Sequence, residues 1–521
     1  MATAANQPAD NPVPGKKTYG QILKSSAIIG GSSAVNIGLN IIRTKVMAIL
    51  LGPAGFGLFG VYNAILDLVR SVGGMGINTS GVRQIAEADG TGDKVKLAKT
   101  VITLRRVAFG CAAFGALLLV AFSKPISQFS FGDLNHVGML MMLALAVVFL
   151  DISAGQAAVI QGLRRLGDLA RMNIRGAIYG TILSIAIVFY FYQQGEPERG
   201  IVPALVAVAA MTVLTSWWYA RQVKVEPVRM TATEISTEVS GLLKLGLVFM
   251  TTALMSMAVA YVVRIIVLRQ LGESDAGYFS AAWQLGGIYV GFILSAMGTD
   301  FYPRLTAVAK DDTECNRLVN EQTEVGLLMA GPGVLGTLTF APIVILLFYS
   351  DRFAPAVEIL RWICLGMLLR VASWPMGFIL GAKGLRKAIF FSELAVSLFQ
   401  IGLAWLCVKR FGVDGAGIAF FGTYIVYGLM IFIIVRSVSG FTWSGENIRI
   451  GLVFSIVIAA VFVGWYYLPR YVAVSGSIIA TTVMSYLSAK KLCALVPLDR
   501  LPRPVRWVAK ILKLSSVDPV S

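Results

Sequence analysis

The chain has 521 residues, 56% of them hydrophobic and 14% charged, with 45 Lys+Arg against 28 Asp+Glu and a net charge of +17. Apolar runs of membrane-spanning length recur from end to end, and the period-2 alternation of a β-barrel is absent, so composition excludes a soluble globular protein. In a soluble chain the basic excess would point to nucleic acid. In a polytopic membrane protein it holds loops on the cytoplasmic side, and no nucleic-acid partner is expected.

The first residues are Ala, Asn, Pro and Asp with no apolar run ahead of Lys16-Lys17, so residues 1–20 are expected to be a disordered cytoplasmic tail and not a signal peptide. Fourteen spans follow, at 22–50, 54–82, 100–122, 137–162, 172–193, 200–220, 242–270, 276–303, 322–349, 355–382, 387–408, 415–437, 448–468 and 472–489. With the N-terminus inside, the even-numbered loops carry 22 basic residues, among them Arg83, Lys94, Arg164, Arg171, Arg221, Lys310 and Arg386. The opposite loops carry 8, among them Lys124, Arg199, Arg352 and Arg470, and this bias places both termini in the cytoplasm. All loops are too short to house a soluble domain.

Residues 441–492 supply two spans beyond the first twelve, and residues 493–521 form a basic tail. Within it Arg506, Lys510 and Lys513 share one helical face and Val505, Trp507, Val508, Ile511 and Leu512 the apolar side, the pattern of an interfacial anchor on the inner leaflet.

The first twelve spans repeat at an offset of about 220 residues. Leu51-Gly52, Gly57 and Phe59 match Leu271-Gly272, Gly277 and Phe279; Gly162-Leu163-Arg164-Arg165 matches Gly384-Leu385-Arg386-Lys387; Arg43 and Arg264 correspond within one residue. An even number of spans separates the copies, so the repeat is parallel. The expected fold is therefore an all-α polytopic membrane protein. Two six-helix halves, residues 21–225 and 226–440, surround a central cavity, and two extra C-terminal helices complete it.

The polar groups inside these spans are the candidate site, because an ionisable side chain in a bilayer costs about 3 kcal/mol or more and is a functional hypothesis by default. Asn36, Asn40 and Arg43 are spaced i, i+4, i+7, and Asn63, Asp67 and Arg70 repeat that spacing on the second span, so each set lies on one helical face. Arg264 and Arg370 lie within spans of the second half. Arginines from both halves make a net-positive cavity, suited to an anion such as phosphate, which a guanidinium fork grips with two parallel hydrogen bonds. Asp67, Asp151 and Glu393 are candidates for coupling to protons or cations. Asp67 is open to a second reading, neutralisation of Arg70 at i, i+3, and Asp151 to pairing with an Arg across the bundle. Lys45 and Arg361, near span ends, are expected to snorkel to the outer interface. Gln284 and Gln400 could line the cavity, with Trp283, Tyr289 and Trp374 against sugar rings, although such aromatics more often anchor or pack. The single His136 excludes a His-rich metal site, and neither a metal nor another cofactor is expected. The five Cys fall in predicted helices or cytoplasmic segments, and no disulfide is expected.

Leu51-Gly52-Pro53-Ala54-Gly55-Phe56-Gly57-Leu58 resembles the first-loop signature of Wzx-type polysaccharide flippases. Gly74-Met75-Gly76-Ile77-Asn78 with Arg83 and Ala86 fits their second helix and its exit, and Gly415-Ala416-Gly417 with Thr423-Tyr424-Ile425-Val426-Tyr427 resembles their last two helices. The resemblance spans roughly residues 20–438 and implies a bacterial inner-membrane flippase of the multidrug/oligosaccharidyl-lipid/polysaccharide exporter superfamily. It implies as substrate an undecaprenyl-pyrophosphate-linked oligosaccharide, an O-antigen or exopolysaccharide repeat unit, carried to the periplasmic leaflet through a cationic cavity. The lipid bilayer is a partner, and a monomer working beside polysaccharide polymerase and assembly proteins is expected. Wzx flippases are usually read with twelve helices; the extra pair here is shared with the lipid II flippases of the same superfamily, which keeps a peptidoglycan-precursor flippase as an alternative. A drug/cation antiporter needs a net-acidic cavity, against which the intramembrane arginines argue. A polymerase or ligase would need a sizeable outer loop, and nothing resembles a nucleotide-binding loop, so no enzymatic activity is expected.

Overall fold

In a bilayer every backbone N–H and C=O must be satisfied within its own segment, so the apolar runs can only become helices. The computed structural model describes residues 16–223, 228 and 230–495. The expected interfacial helix at 503–514 and residues 1–15 of the expected tail lie outside the described residues. The helices are α1 (Lys16–Gly74), α2 (Ile77–Gly90), α3 (Lys94–Ala121), α4 (Ser123–Ser130), α5 (Val137–Gly162), α6 (Leu166–Gln193), α7 (Ile201–Ala220), α8 (Ala232–Leu271), α9 (Glu273–Ala307), α10 (Asp312–Thr339), α11 (Ala341–Phe348), α12 (Ala356–Ala382), α13 (Arg386–Phe411), α14 (Asp414–Ser439), α15 (Gly445–Tyr467) and α16 (Arg470–Leu495). Eleven helical stretches, with Gly31–Gly74 counted once, are long and apolar enough to cross a membrane, and a twelfth results if α10 and α11 are taken as one span. The chain is a polytopic all-α membrane protein.

Three boundaries differ from expectation. The first two spans are one helix broken at Gly52 (φ 65°, ψ −176°), a backbone conformation essentially reserved for glycine, with Pro53 next to it. The second span stops at Gly74, short of residue 82, because Met75 (φ 46°) and Gly76 (φ 67°) turn the chain into the separate α2. The ninth expected span bends by 79° between α10 and α11. Pro342 follows the break and cannot donate the backbone bond that would carry α10 through it.

The chain forms two compact units. The first contains residues 69–123 and 137–250 together with the chain up to Thr44. Its core joins α2, α3, α5 and α8 through Ile85, Val101, Leu104, Val159 and Leu242. The second contains residues 45–68, 124–136 and 251 onward. One of its cores packs Phe301 and Leu305 of α9, Val319 of α10, Ile379 of α12 and Val435 of α14.

Turn geometry fixes the repeat more finely than residue identity does. Gly52 and Gly272 share the same extended positive-φ break (φ 65°, ψ −176° and φ 98°, ψ −178°). The α3 and α10 C-caps, Phe122 and Phe340, are equally alike (φ −98°, ψ 10° and φ −97°, ψ 15°), and each leads into an eight-residue helix. Between α5 and α6, Arg165 N donates to Ile160 O and Leu166 N to Arg164 O; between α12 and α13, Leu385 N donates to Leu380 O and Arg386 N to Gly384 O. The structural partner of Gly162-Leu163-Arg164-Arg165 is thus Ala382-Lys383-Gly384-Leu385, two residues earlier than the sequence match. With Gly52 on Gly272, the repeat position of Arg264 is Thr44 and not Arg43, so the two arginines sit about 100° apart around equivalent helices.

The extra pair docks on the second unit. Gly331 of α10 leaves room for Phe454 of α15: a β-carbon there would lie 2.3 Å from the ring. Lys491 of α16 bridges Glu324 of α10, at 2.9 Å, and Glu446 of α15. Arg361 does not snorkel, contrary to expectation. It is 5% exposed, paired with Glu358 on its own helix α12 and set 4.2 Å from the Trp465 ring of α15, while Tyr466 donates to Glu358. Two partners, the Glu358 carboxylate and the Trp465 ring, hold the guanidinium more firmly than the interface would.

Candidate substrate-binding site

On the first helix the spacing acts as expected: Arg43 donates from Nη2 to Asn40 Oδ1 at 3.0 Å, so one polar stripe pre-aligns a guanidinium. Asn36 lies one turn earlier and is half-buried. Asn63, on the second arm of α1, turns its amide N–H onto Phe59 O of its own helix at 2.7 Å.

In the first unit Arg70 and Asp151 meet across α1 and α5, Nε to Oδ1 at 3.0 Å. Asp151 is 7% exposed and Arg70 29%, so the carboxylate is the deeper partner. Its second oxygen, Oδ2, is buried with no hydrogen-bond partner among the described residues. Close packing makes this meeting possible: the backbone of Gly73 lies against Gly115 of α3, and Gly74 faces Asp151 with no side chain between. Of the readings left open for Asp151, pairing with an arginine across the bundle is what the geometry contains.

In the second unit the Asp67 carboxylate lies near enough to Arg264 to act on its charge. Arg264 donates from Nη1 to Ala260 O at 3.1 Å, which holds the guanidinium along α8, and its Nε is buried without a partner among the described residues. Asp67 is exposed and Arg264 half-buried.

The second unit also holds a cavity of about 310 Å³ between α8, α9, α12, α13 and α14. It brings together Arg370, Glu393, Gln400, Trp283 and Trp374, all singled out in the sequence, with Tyr424 and Tyr427, which were noticed only as part of a family motif. The signal that could have found the tyrosines is their i, i+3 spacing, with Thr423, on one face of an otherwise apolar helix. Arg370 lies 5.9 Å from the Tyr424 ring. Neither Arg370 nor Glu393 has an ion-pair partner among the described residues. Two aromatic and polar candidates lie elsewhere: Tyr289 donates to Met329 O at 2.7 Å, and Gln284 accepts from Tyr349 at 3.0 Å.

The fold is that of the MOP-superfamily transporters. It is similar to an inward-facing multidrug resistance MATE family transporter of that superfamily, with TM-score 0.62 and 17% identity over 77% of this chain and 94% of that one. It is equally similar to the lipid II flippase MurJ in an inward closed conformation, with TM-score 0.62 and 14% identity over 90% of this chain and 99% of that one. Within that class the chain belongs to the polysaccharide biosynthesis protein family, which it matches over residues 46–358. A relative named lipid III flippase, from Escherichia coli (strain K12), is 23% identical over 414 residues, covering 78% of this chain and 96% of the relative.

Proposed function

We propose that the protein is a flippase for a polyprenyl-pyrophosphate-linked oligosaccharide, an O-antigen or exopolysaccharide repeat unit, moving it from the cytoplasmic to the periplasmic leaflet of the bacterial inner membrane. Arg264 carries the reading: a guanidinium within a membrane helix, held by its own backbone, with its Nε buried and without a partner among the described residues. Arg43 and Arg70 of the first unit add further cationic groups, with Asn36 and Asn40 on the helix of Arg43 and Asn63 further along it as amides, side chains suited to a pyrophosphate. Family membership and the lipid III flippase relative support a lipid-linked saccharide as cargo. The positive-inside loops support cytoplasmic termini, and an inside-negative potential then favours outward movement of the anion by about 2.3 kcal/mol per charge per 100 mV.

The buried, unpartnered Oδ2 of Asp151 supports a second element, coupling to a proton or cation at the Arg70–Asp151 pair. The mechanism needs no covalent step, and no residue is given a catalytic role. The test is reconstitution in vesicles with a fluorescent lipid-linked oligosaccharide. Arg264→Ala is expected to lower flipping at least about tenfold, the cost of one lost charge-assisted contact, while the protein still inserts and folds. Wild-type flipping in Arg264→Ala and Arg43→Ala alike would overturn the reading.

A further inference from the structure

The cavity of the second unit has a chemistry different from that of a phosphate site. Its about 310 Å³ lies at the small end of the roughly 300–1,000 Å³ of small-molecule pockets, enough for one or two rings. Trp283 and Trp374 border it, and both are held by neighbours: Trp283 meets Phe420 edge-on at 5.3 Å, and Trp374 meets Phe378 at 4.4 Å. The same lining carries a cation, Arg370, an anion, Glu393, and an amide, Gln400. Had the two charges existed to neutralise each other, they would be paired; neither has an ion-pair partner among the described residues. Opposite charges left apart in one small apolar-walled space await a ligand that supplies acceptors to one and donors to the other.

We propose that this cavity is a subsite for one sugar ring of the cargo. The ring lies against the tryptophan faces, Glu393 accepts from two of its hydroxyls, and Arg370 donates to an acceptor substituent, the carbonyl of an acetamido group or a carboxylate. A pyrophosphate fits poorly, because Glu393 would face it with like charge. A drug-like organic cation would leave Arg370 unmet. The proposal rests on the oligosaccharide reading of the preceding section.

The test uses purified full-length protein in nanodiscs without lipid-linked substrate. Saturation-transfer NMR is recorded with the methyl glycosides of a plain hexose, an N-acetylhexosamine and a hexuronic acid at millimolar concentration. Ring-proton signals are expected for at least one of the two substituted sugars, and stronger than for the plain hexose. Which of the two dominates tells acetamido from carboxylate. Trp374→Ala is expected to remove the signal, Glu393→Gln to weaken binding of all three sugars about tenfold, and Arg370→Gln to erase the preference for the substituted ring. Arg352→Ala, an exposed residue outside the cavity lining, is expected to leave sugar binding unchanged, and thermal unfolding confirms that each variant is folded. No sugar signal in the wild type, or wild-type signals and preference in both Glu393→Gln and Arg370→Gln, overturns the subsite. Flipping of lipid-linked oligosaccharide separates the two ideas. Flipping without sugar binding removes the subsite alone, and sugar binding without flipping removes the transport reading alone.

Discussion

Gly57 and Gly277 lie helix against helix, each where the other's backbone would meet a side chain. A β-carbon on Gly57 would stand 2.1 Å from Glu273 O, and one on Gly277 would stand 1.9 Å from Pro53 O. The reciprocity is that of a two-fold: each glycine faces the carbonyl four residues before the other. It places the repeated Leu-Gly turns after Gly52 and Gly272 in direct contact. Such contact needs glycine, because the obstructing atom is backbone and cannot rotate away. Gly57→Ala or Gly277→Ala is therefore expected to push the arms apart and to cost about 1–3 kcal/mol in thermal unfolding, as overpacking does. Gly287→Ala is the control, since nothing lies within 4 Å of a β-carbon there. Equal melting of all three variants would show that the contact is not maintained.

The Arg70–Asp151 pair is asymmetric in burial, and that asymmetry predicts which half matters more. Removing Asp151 leaves an arginine that is 29% exposed and long enough to reach water. Removing Arg70 leaves a carboxylate that is 7% exposed, with no route out and a second oxygen already unpaired. Arg70→Ala is expected to cost more than Asp151→Asn, by about 1–3 kcal/mol, and the double variant to recover part of the loss. In flipping assays under an imposed proton gradient, Asp151→Asn is expected to flip at a rate that no longer responds to the gradient. An undiminished response would remove Asp151 from coupling.

How much of this was legible in the sequence follows from the range over which each feature is encoded. Helices announce themselves locally, as long apolar runs, and the Gly52 break is local too. The Met75-Gly76 break lies in a local glycine cluster, Gly73-Gly74-Met75-Gly76, but the apolar run continues across it, and hydropathy alone carries the span on to residue 82. The sequence leaves Arg70 two acids, Asp67 three residues away and Asp151 81 away, and only the packing of α1 on α5 shows its contact with the distant one. Arg361 looked like an interfacial residue because it stands near a helix end; only the docking of α15 buries it. Arg43 and Arg264 correspond within one residue in the turn register as in the sequence match, and that one residue turns them about 100° apart around equivalent helices. The sugar-sized cavity draws on five helices, so no window of sequence could contain it.

Arg361 joins the extra helix pair to the rest of the second unit through Trp465 and, by way of Glu358, through Tyr466. Arg361→Ala removes a buried cation from above an indole and strands Glu358. A loss of about 2–4 kcal/mol is expected, well beyond that of Arg352→Ala, whose side chain is exposed. A double-mutant cycle of Arg361→Met with Trp465→Leu, read by thermal unfolding, is expected to give a coupling of about 1 kcal/mol. Strict additivity would mean that the stacked geometry contributes nothing to docking.

Asp67 and Arg264 set the grip of the proposed phosphate site. A guanidinium with a carboxylate beside it is a weaker anion receptor than a bare one, since an incoming phosphate must displace or share that partner. The arrangement favours release, which a transporter needs as much as capture: binding that is too tight slows turnover. Asp67→Asn keeps the shape and removes the competing charge. It is expected to tighten binding of a polyprenyl pyrophosphate about three- to tenfold, the ~1 kcal/mol of an ion pair that water can reach, and to lower the flipping rate at saturating substrate. Arg264→Lys is expected not to restore wild-type behaviour, because a point charge cannot reproduce the forked contact. Equilibrium binding and initial flipping rates, measured on the same preparations, separate the outcomes. Weaker binding in Asp67→Asn would mean that the carboxylate orients Arg264 for capture; tighter binding with slower flipping would mean that it tunes release.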